Sequence, residues 1–518
     1  MVTENTEHSN PGDSSTSFRK KEKRRLFYIV NTLIIILISI AMLTNKHASL
    51  RDAIYIVVLG AICTSPLLFI TSYRGKYSLM LIFLAYYFGA FGLKDISDLI
   101  ANKPLPSVSP GYFLTGGETV ILLGAICFII GYSAMSRLLP ANNKGILKRD
   151  WLPRATLVFG FMFWIIGFYV TATWQFGFAD RYANVSITHS LGGFIALLRI
   201  LQPLGTLVLI YMVLITGNKT ALIILILTML ADFGLGFAGD SKEIAFRGPM
   251  LYLFSMVMLR EKLPLYQSVA FVLIAGFAFS IFSAYRVAVH SKHESRSDAF
   301  KNIGSTLGAI SEKGGTVGDR LSSGLDYLAE RITLKQNVEL IVARTGKDVP
   351  FQNGHTIAPL LYAFIPRFIL PNKADSGMAG QLFNREFKLS PDPDTYISVS
   401  QLGELYWNFG WPGVIIGMIL IGAIMSLIAA ALRLDLLQTL PRFLMLLTTV
   451  YLLGLRFESA LALNYTVWAR ASILLLIINA LIPKKNTAAS KRSPTGHAFI
   501  KTAKHTIHKQ TERKSGTR

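Results

Sequence analysis

The run RKKEKRRLFYIVNTLIIILISIAML, residues 19–43, sets the fold class. Six of its first seven residues are basic, and Leu26–Leu43 then carries no charge. About 20 apolar residues are enough to cross a 30 Å hydrocarbon core as an α-helix. A basic block directly before such a run holds that end in the cytoplasm. Residues 1–17 are polar and are expected to be disordered, so 1–25 reads as a basic cytoplasmic N-terminal segment. Thr44-Asn45-Lys46 follows the run in place of a small-x-small cleavage site, so the run is expected to be a retained first helix.

Comparable runs recur along the chain at about 53–72, 79–93, 119–135, 155–176, 194–216, 220–237, 244–259, 267–284, 411–432, 443–455 and 466–482. Composition agrees: 52% of the 518 residues are apolar and 16% are charged. The predicted class is an all-α polytopic membrane protein of about twelve transmembrane helices. Nine lie in 26–284, one large external loop covers 285–410, and three more fill 411–482. The connecting charges fit this order. Arg74 and Lys76, the basic stretch Arg137–Arg154, Lys219, and Arg260 with Lys262 fall on cytoplasmic turns. The tail 483–518 holds ten Lys or Arg against one acid, Glu512, and is expected inside. Two internal termini require an even number of passes, which twelve satisfies.

The net charge of +22 does not point to nucleic acid, because much of the excess lies in the two tails beside hydrophobic spans, where it meets anionic lipid. Cys63 and Cys127 fall inside apolar runs and read as packing residues. No phosphate loop, nucleophile elbow or zinc motif is present. Asp392-Pro393-Asp394 has metal-binding spacing, but its prolines make it a turn. Neither a metal nor a cofactor is expected.

In the external loop, 320–344 reads as one amphipathic helix from Leu321, Leu325, Leu328, Ile332, Val338 and Ile341, lying on the bilayer or packing the loop's own core. Leu360–Ile369 is too short to span, is interrupted by Pro366 and embeds Arg367, as in a re-entrant or interfacial element. A cation near lipid costs about 2.5–3.5 kcal/mol, so Arg367 is either used or anchored to headgroups. Arg181, Lys242, Arg247, Arg286 and Arg456 lie at external helix ends, against the usual charge bias. Guanidinium groups there are suited to gripping a pyrophosphate through paired hydrogen bonds. Each alone also reads as a snorkelled or salt-bridged arginine. Proton acceptors in reach of an external substrate are His355, Glu404 and His290. Helix capping or loop pairing is the structural alternative for Glu404, and loop pairing for His290.

Ile365-Pro366-Arg367, then Pro371-Asn372-Lys373, then Gly403-Glu404-Leu405-Tyr406-Trp407-Asn408-Phe409-Gly410-Trp411-Pro412-Gly413 entering a span, resembles the Wzy-type O-antigen and oligosaccharide repeat-unit polymerases. Ala374 stands where that family carries proline after the lysine. The resemblance implies a metal-independent glycosyltransferase with a GT-C-like helical fold in the bacterial inner membrane. Its partners would be polyprenyl-pyrophosphate-linked oligosaccharide donor and acceptor, membrane lipids and a chain-length regulator. Among the external arginines, Arg367 and Arg286 are expected to hold the pyrophosphate, with Arg247 as a second grip. Glu404 or His355 would be the base, and Lys242, Lys373, Arg181 and Tyr406 further substrate contacts. An O-antigen ligase of the same fold and a lipid-linked-sugar flippase are the rival readings. A flippase predicts charges deep within several spans, whereas the charges here read as lying chiefly at helix ends.

Overall fold

The computed structural model describes residues 11–44, 50–69, 77–100, 115–139, 146–176, 194–260, 265–291, 326–432 and 439–483, except 148, 196, 240, 327, 331, 364, 366–368, 371–372 and 394. For helix residues 11–24 and 282–291 it describes backbone alone. Arg181 and Arg367 lie outside the described residues, as do the side chains of Arg286 and His290.

The described chain is helical. α1 (Pro11–Thr44), α2 (Leu50–Thr64), α3 (Ser78–Ile100), α4 (Gly116–Leu138), α5 (Pro153–Phe176), α6 (Leu201–Tyr211), α7 (Lys219–Ala238), α8 (Lys242–Arg260) and α9 (Leu265–Ser291) precede the loop. The loop contributes α10 (Lys335–Arg344) and α11 (Met378–Phe387). α12 (Gln401–Leu432), α13 (Leu440–Thr449) and α14 (Leu461–Leu481) follow. Among the described residues, eight helical segments are long and apolar enough to cross a membrane, with shorter apolar stretches at Arg25–Ile40, Tyr266–Phe279 and Leu440–Gly454. The chain is a multi-pass membrane protein.

Lipid tails give no hydrophobic drive to helix association, so close backbone approach does the work. A Cβ on Gly131 of α4 would sit 2.1 Å from the Ile419 carbonyl oxygen of α12. One on Gly422 would sit 2.3 Å from the Phe128 carbonyl oxygen. α5 and α6 cross in the same way through Gly160, Gly167 and Gly205. Aromatic rings fill the seam among α3, α4 and the 455–460 turn: Phe83 stacks on Phe128 at 3.9 Å, and Phe457 meets Phe83 edge-on at 5.1 Å.

The two ends of the bundle are built differently. At one end Arg442 Nε donates to the Ile146 carbonyl (2.7 Å), Leu440 N to Asp150 (3.0 Å) and Leu152 N to the Pro483 carbonyl (3.2 Å). The loop helices sit at the other. There α3 runs on to Ile100, past the expected end at 93, because its extra turns carry Asp95 and Asp98 to cationic partners. α4 starts at a capping box in which Thr115 and Glu118 satisfy each other's backbone amides.

The helix expected over 320–344 is interrupted. The helical residues 326, 328–330 and 332 are followed by a stop at Thr333-Leu334, where the Leu334 amide is taken by the Ala90 carbonyl of α3 at 2.8 Å. The stretch 320–325 lies outside the described residues. α10 restarts at Lys335 and buries Lys335, Val338, Glu339 and Ile341. That face packs on α4 and α12, so α10 rests on protein and not on lipid.

Candidate functional site

Four cations gather at the loop end of α6–α8 and the 455–460 turn. Arg456 Nη2 lies 3.8 Å from Glu243 Oε2, and the Tyr451 hydroxyl donates to Glu243 Oε1. Arg247, four residues on from Glu243 along α8, meets the Tyr451 hydroxyl and lies 3.9 Å from Asp232 on α7. Arg199 is electrostatically coupled to Arg247, Glu243 and Arg456, and its guanidinium covers Trp174 at 5.8 Å. Lys242 lies 4.8 Å over Phe279, a cation–π contact. Arg247, Arg456 and Arg199 thus lie together around Glu243, and Lys242 stands beside it at the start of α8.

Asp232 holds this group from below. It is 1% exposed and accepts from Trp164 Nε1 (3.0 Å) and Gln202 Nε2 (2.8 Å), while Gln202 accepts from Thr171 (2.9 Å). It lies six residues from the end of α7, roughly 9 Å into the helix at 1.5 Å per residue. Charges are thus not confined to helix ends. Arg470 is farther in, nine residues or roughly 14 Å along α14. Its Nη2 donates to the Ala363 carbonyl at 2.8 Å, and Lys373 Nζ reaches the Ile365 carbonyl at 2.6 Å and that of Ala363 at 3.4 Å. The Arg470 bond ties Ala363 to α14, and the Lys373 bonds fold the following loop back on Ala363 and Ile365. Lys373 is placed there by carbonyl groups.

The 403–413 stretch is occupied with shape. Glu404 is fully buried and its Oε2 accepts from the Leu461 amide at 2.6 Å, capping the start of α14. Thr356 also bonds its side chain, and Oε1 has no partner among the described residues. Asn408 Nδ2 donates to Thr356 Oγ1 and to the Glu404 carbonyl, both at 2.7 Å, and its Oδ1 accepts from Gly354 N at 2.8 Å. Gly410 adopts φ 62° and ψ −145°, a region essentially reserved for glycine, and breaks α12 where the expected span begins. A Cβ on Gly413 would lie 2.3 Å from the Leu405 carbonyl oxygen. Tyr406 is 8% exposed with its ring edge-on to Trp411 at 5.8 Å. His355 is the exposed member of the set, on the 353–357 turn.

A second ionic cluster went unread in the sequence. Lys335 Nζ lies 2.7 Å from Asp95, 2.9 Å from Glu118 and 3.9 Å from Glu339, and 4.2 Å over the Tyr55 ring. Arg51 pairs with Glu118 at 3.1 Å, and Lys94 joins Asp98 (2.6 Å) to Asp326 (3.1 Å). Burial alone would lower the Lys335 ammonium, but the three carboxylates outweigh it and hold the group charged. Glu339 is pushed up to about 7, first by burial and then by Glu118 and Asp95, against the pull of Lys335. The cluster pins the loop to α2, α3 and α4.

No protein-family model matches the chain, and no curated protein or solved structure is significantly similar to it.

Proposed function

We propose that the chain is a metal-independent membrane glycosyltransferase that polymerises polyprenyl-pyrophosphate-linked oligosaccharide repeat units. It would act at the external face of the bacterial inner membrane, with twelve passes and both termini cytoplasmic. The observation that carries this reading is the convergence of Arg199, Lys242, Arg247 and Arg456 at the loop end of the bundle; the resemblance of 365–413 supplies the chemistry. In the reaction an acceptor hydroxyl oxygen attacks the anomeric carbon of the donor sugar. The carbon–oxygen bond to pyrophosphate breaks, and the leaving group takes the electron pair. Cations aimed at that developing charge stabilise the transition state. The hydroxyl proton passes to a base, for which exposed His355 is better placed to meet substrate than buried Glu404. Glu404 is given a capping role in this reading.

The test is extension of lipid-linked repeat units by purified protein without added metal, using wild type and Arg247→Ala and Arg456→Ala variants. Loss of long-chain product in correctly inserted variants supports the reading, and unchanged product refutes it. Deletion in cells separates a polymerase, whose loss leaves single repeat units on the surface, from a ligase, whose loss leaves none. Asp232 and Arg470, within spans, favour a second reading as a lipid-linked-sugar transporter. Liposomes that move substrate without lengthening glycans would select it.

A further inference from the structure

Among the described residues, Glu243 is the carboxylate in the cationic group that is substantially exposed, at 48%, against 1% for Asp232. It stands in the first turn of α8, where the helix end carries partial positive charge and favours an anion. The Tyr451 hydroxyl and the Arg456 guanidinium face it, and Arg247 and Arg199 lie within electrostatic reach. Arg247 is 7% exposed, and its Nε and Nη2 have no hydrogen-bond partner among the described residues. Two unmatched donors on a buried guanidinium are costly to keep and mark a place where acceptor oxygens are wanted. Asp232, at 3.9 Å, does not supply them.

We infer that Glu243 is a built-in stand-in for a phosphoryl group, its carboxylate holding the seat between Arg456, Tyr451 and Arg247 until an incoming phosphate or pyrophosphate displaces it. The glycan-polymerase reading is taken as the context, with Glu243 setting when its donor site accepts an anion. With Glu243 seated, Arg456, Arg247 and Arg199 act on it, with Asp232 beside Arg247 and Glu458 coupled to Arg456. With Glu243 turned towards solvent the same three arginines face two carboxylates, and the group gains net positive charge as ligand arrives. The exchange resembles a ligand competing with an internal anion, so it lowers affinity and protects the arginines from adventitious phosphate. No bond is made or broken in it.

Full-length protein in phosphatidylcholine nanodiscs, titrated with inorganic pyrophosphate by calorimetry, tests the inference. Glu243→Gln removes one unit charge from a half-exposed seat and is expected to tighten binding about tenfold, and less at high salt. Arg247→Gln is expected to weaken binding in either background. Glu243→Asp, with a shorter reach, should fall between wild type and Gln, and serves if Gln lowers thermal stability. Nanodiscs containing phosphatidylglycerol give the lipid arm. Tighter retention of that lipid by Glu243→Gln, without a change for pyrophosphate, identifies a lipid headgroup as the occupant of the same seat. Unchanged or weaker binding of both ligands overturns the inference. Its fate is separable from that of the glycan reading. Tighter pyrophosphate binding with no chain extension would leave the seat standing and remove the polymerase, while chain extension with no tightening of either ligand would do the reverse.

Discussion

Replacing Lys335 by Met removes the one cation that lies among Asp95, Glu118 and Glu339. The methionine keeps the bulk of the alkyl stem over Tyr55, so the change is chiefly one of charge. Three carboxylates would then face one another at 6%, 1% and 4% exposure, with only Arg51 still holding Glu118. Breaking one side of a buried ion pair costs about 3–5 kcal/mol. Glu339 can take up a proton near neutrality, which limits the penalty to the lower part of that range. A local cost of about 3 kcal/mol corresponds to roughly 100-fold faster opening at 1.36 kcal/mol per decade. Hydrogen exchange at the amides of 335–344 in nanodiscs reads this directly, with α13 as an internal reference. Adding Glu339→Gln should recover part of the loss, since it removes one of the stranded charges. Exchange within threefold of wild type would refute the claim that this cluster holds the loop to the bundle.

The same helix carries a pH dependence of calculable sign. Glu339 rises from its ordinary 4.5 to about 7 when α10 is docked, so docking takes up a proton. Its contribution is full below 4.5 and is lost as pH climbs to about 7, so opening should accelerate by up to about 10²-fold over that window and Glu339→Gln should flatten the profile. Glu404→Gln retains an acceptor for the Leu461 amide and should keep stability and product formation near wild type, whereas Glu404→Ala should cost about 0.5–2 kcal/mol by thermal unfolding. A hundredfold loss of turnover in Glu404→Gln at unchanged stability would restore it as a proton acceptor. Gly410→Ala places a Cβ on a backbone with φ 62° and ψ −145° and should lower stability by about 1–3 kcal/mol, measured as loss of monodisperse protein on heating. Gly131→Val should be worse, because its side chain runs into the Ile419 carbonyl.

The long helices were legible because an apolar run of 20 residues has few other uses. Leu26–Leu43 and Trp411–Leu432 both read correctly as helix, the second to within one residue of the break at Gly410. Lys242, Arg247 and Arg456 stand out in the sequence because each lies at a hydrophobic edge. Arg199, Asp232 and Arg470 do not, since a hydropathy window averages a single charge into its neighbours. Lys335 and Glu118 stand 217 residues apart and nothing local to either announces the other. Glu404 stands out in the sequence as an acid before an apolar run, open to a base or a capping role, and the amide it caps lies 57 residues later. Thr333-Leu334 broke a helix of sound periodicity because Ala90, far away in the chain, takes an amide the helix needs.

The start of α12 bears on Arg456 through the backbone. Ser400 N donates to the Glu458 carbonyl (2.9 Å), Gln401 N to the Phe457 carbonyl (3.0 Å), and Glu404 caps Leu461. Residues 400–404 thus clamp both sides of the turn from which Arg456 projects. In a genetic screen, loss-of-function alleles would cluster in 400–413 through their hold on this turn. Intragenic suppressors of those alleles would fall in 455–461, where a repacked turn can return one arginine to its post.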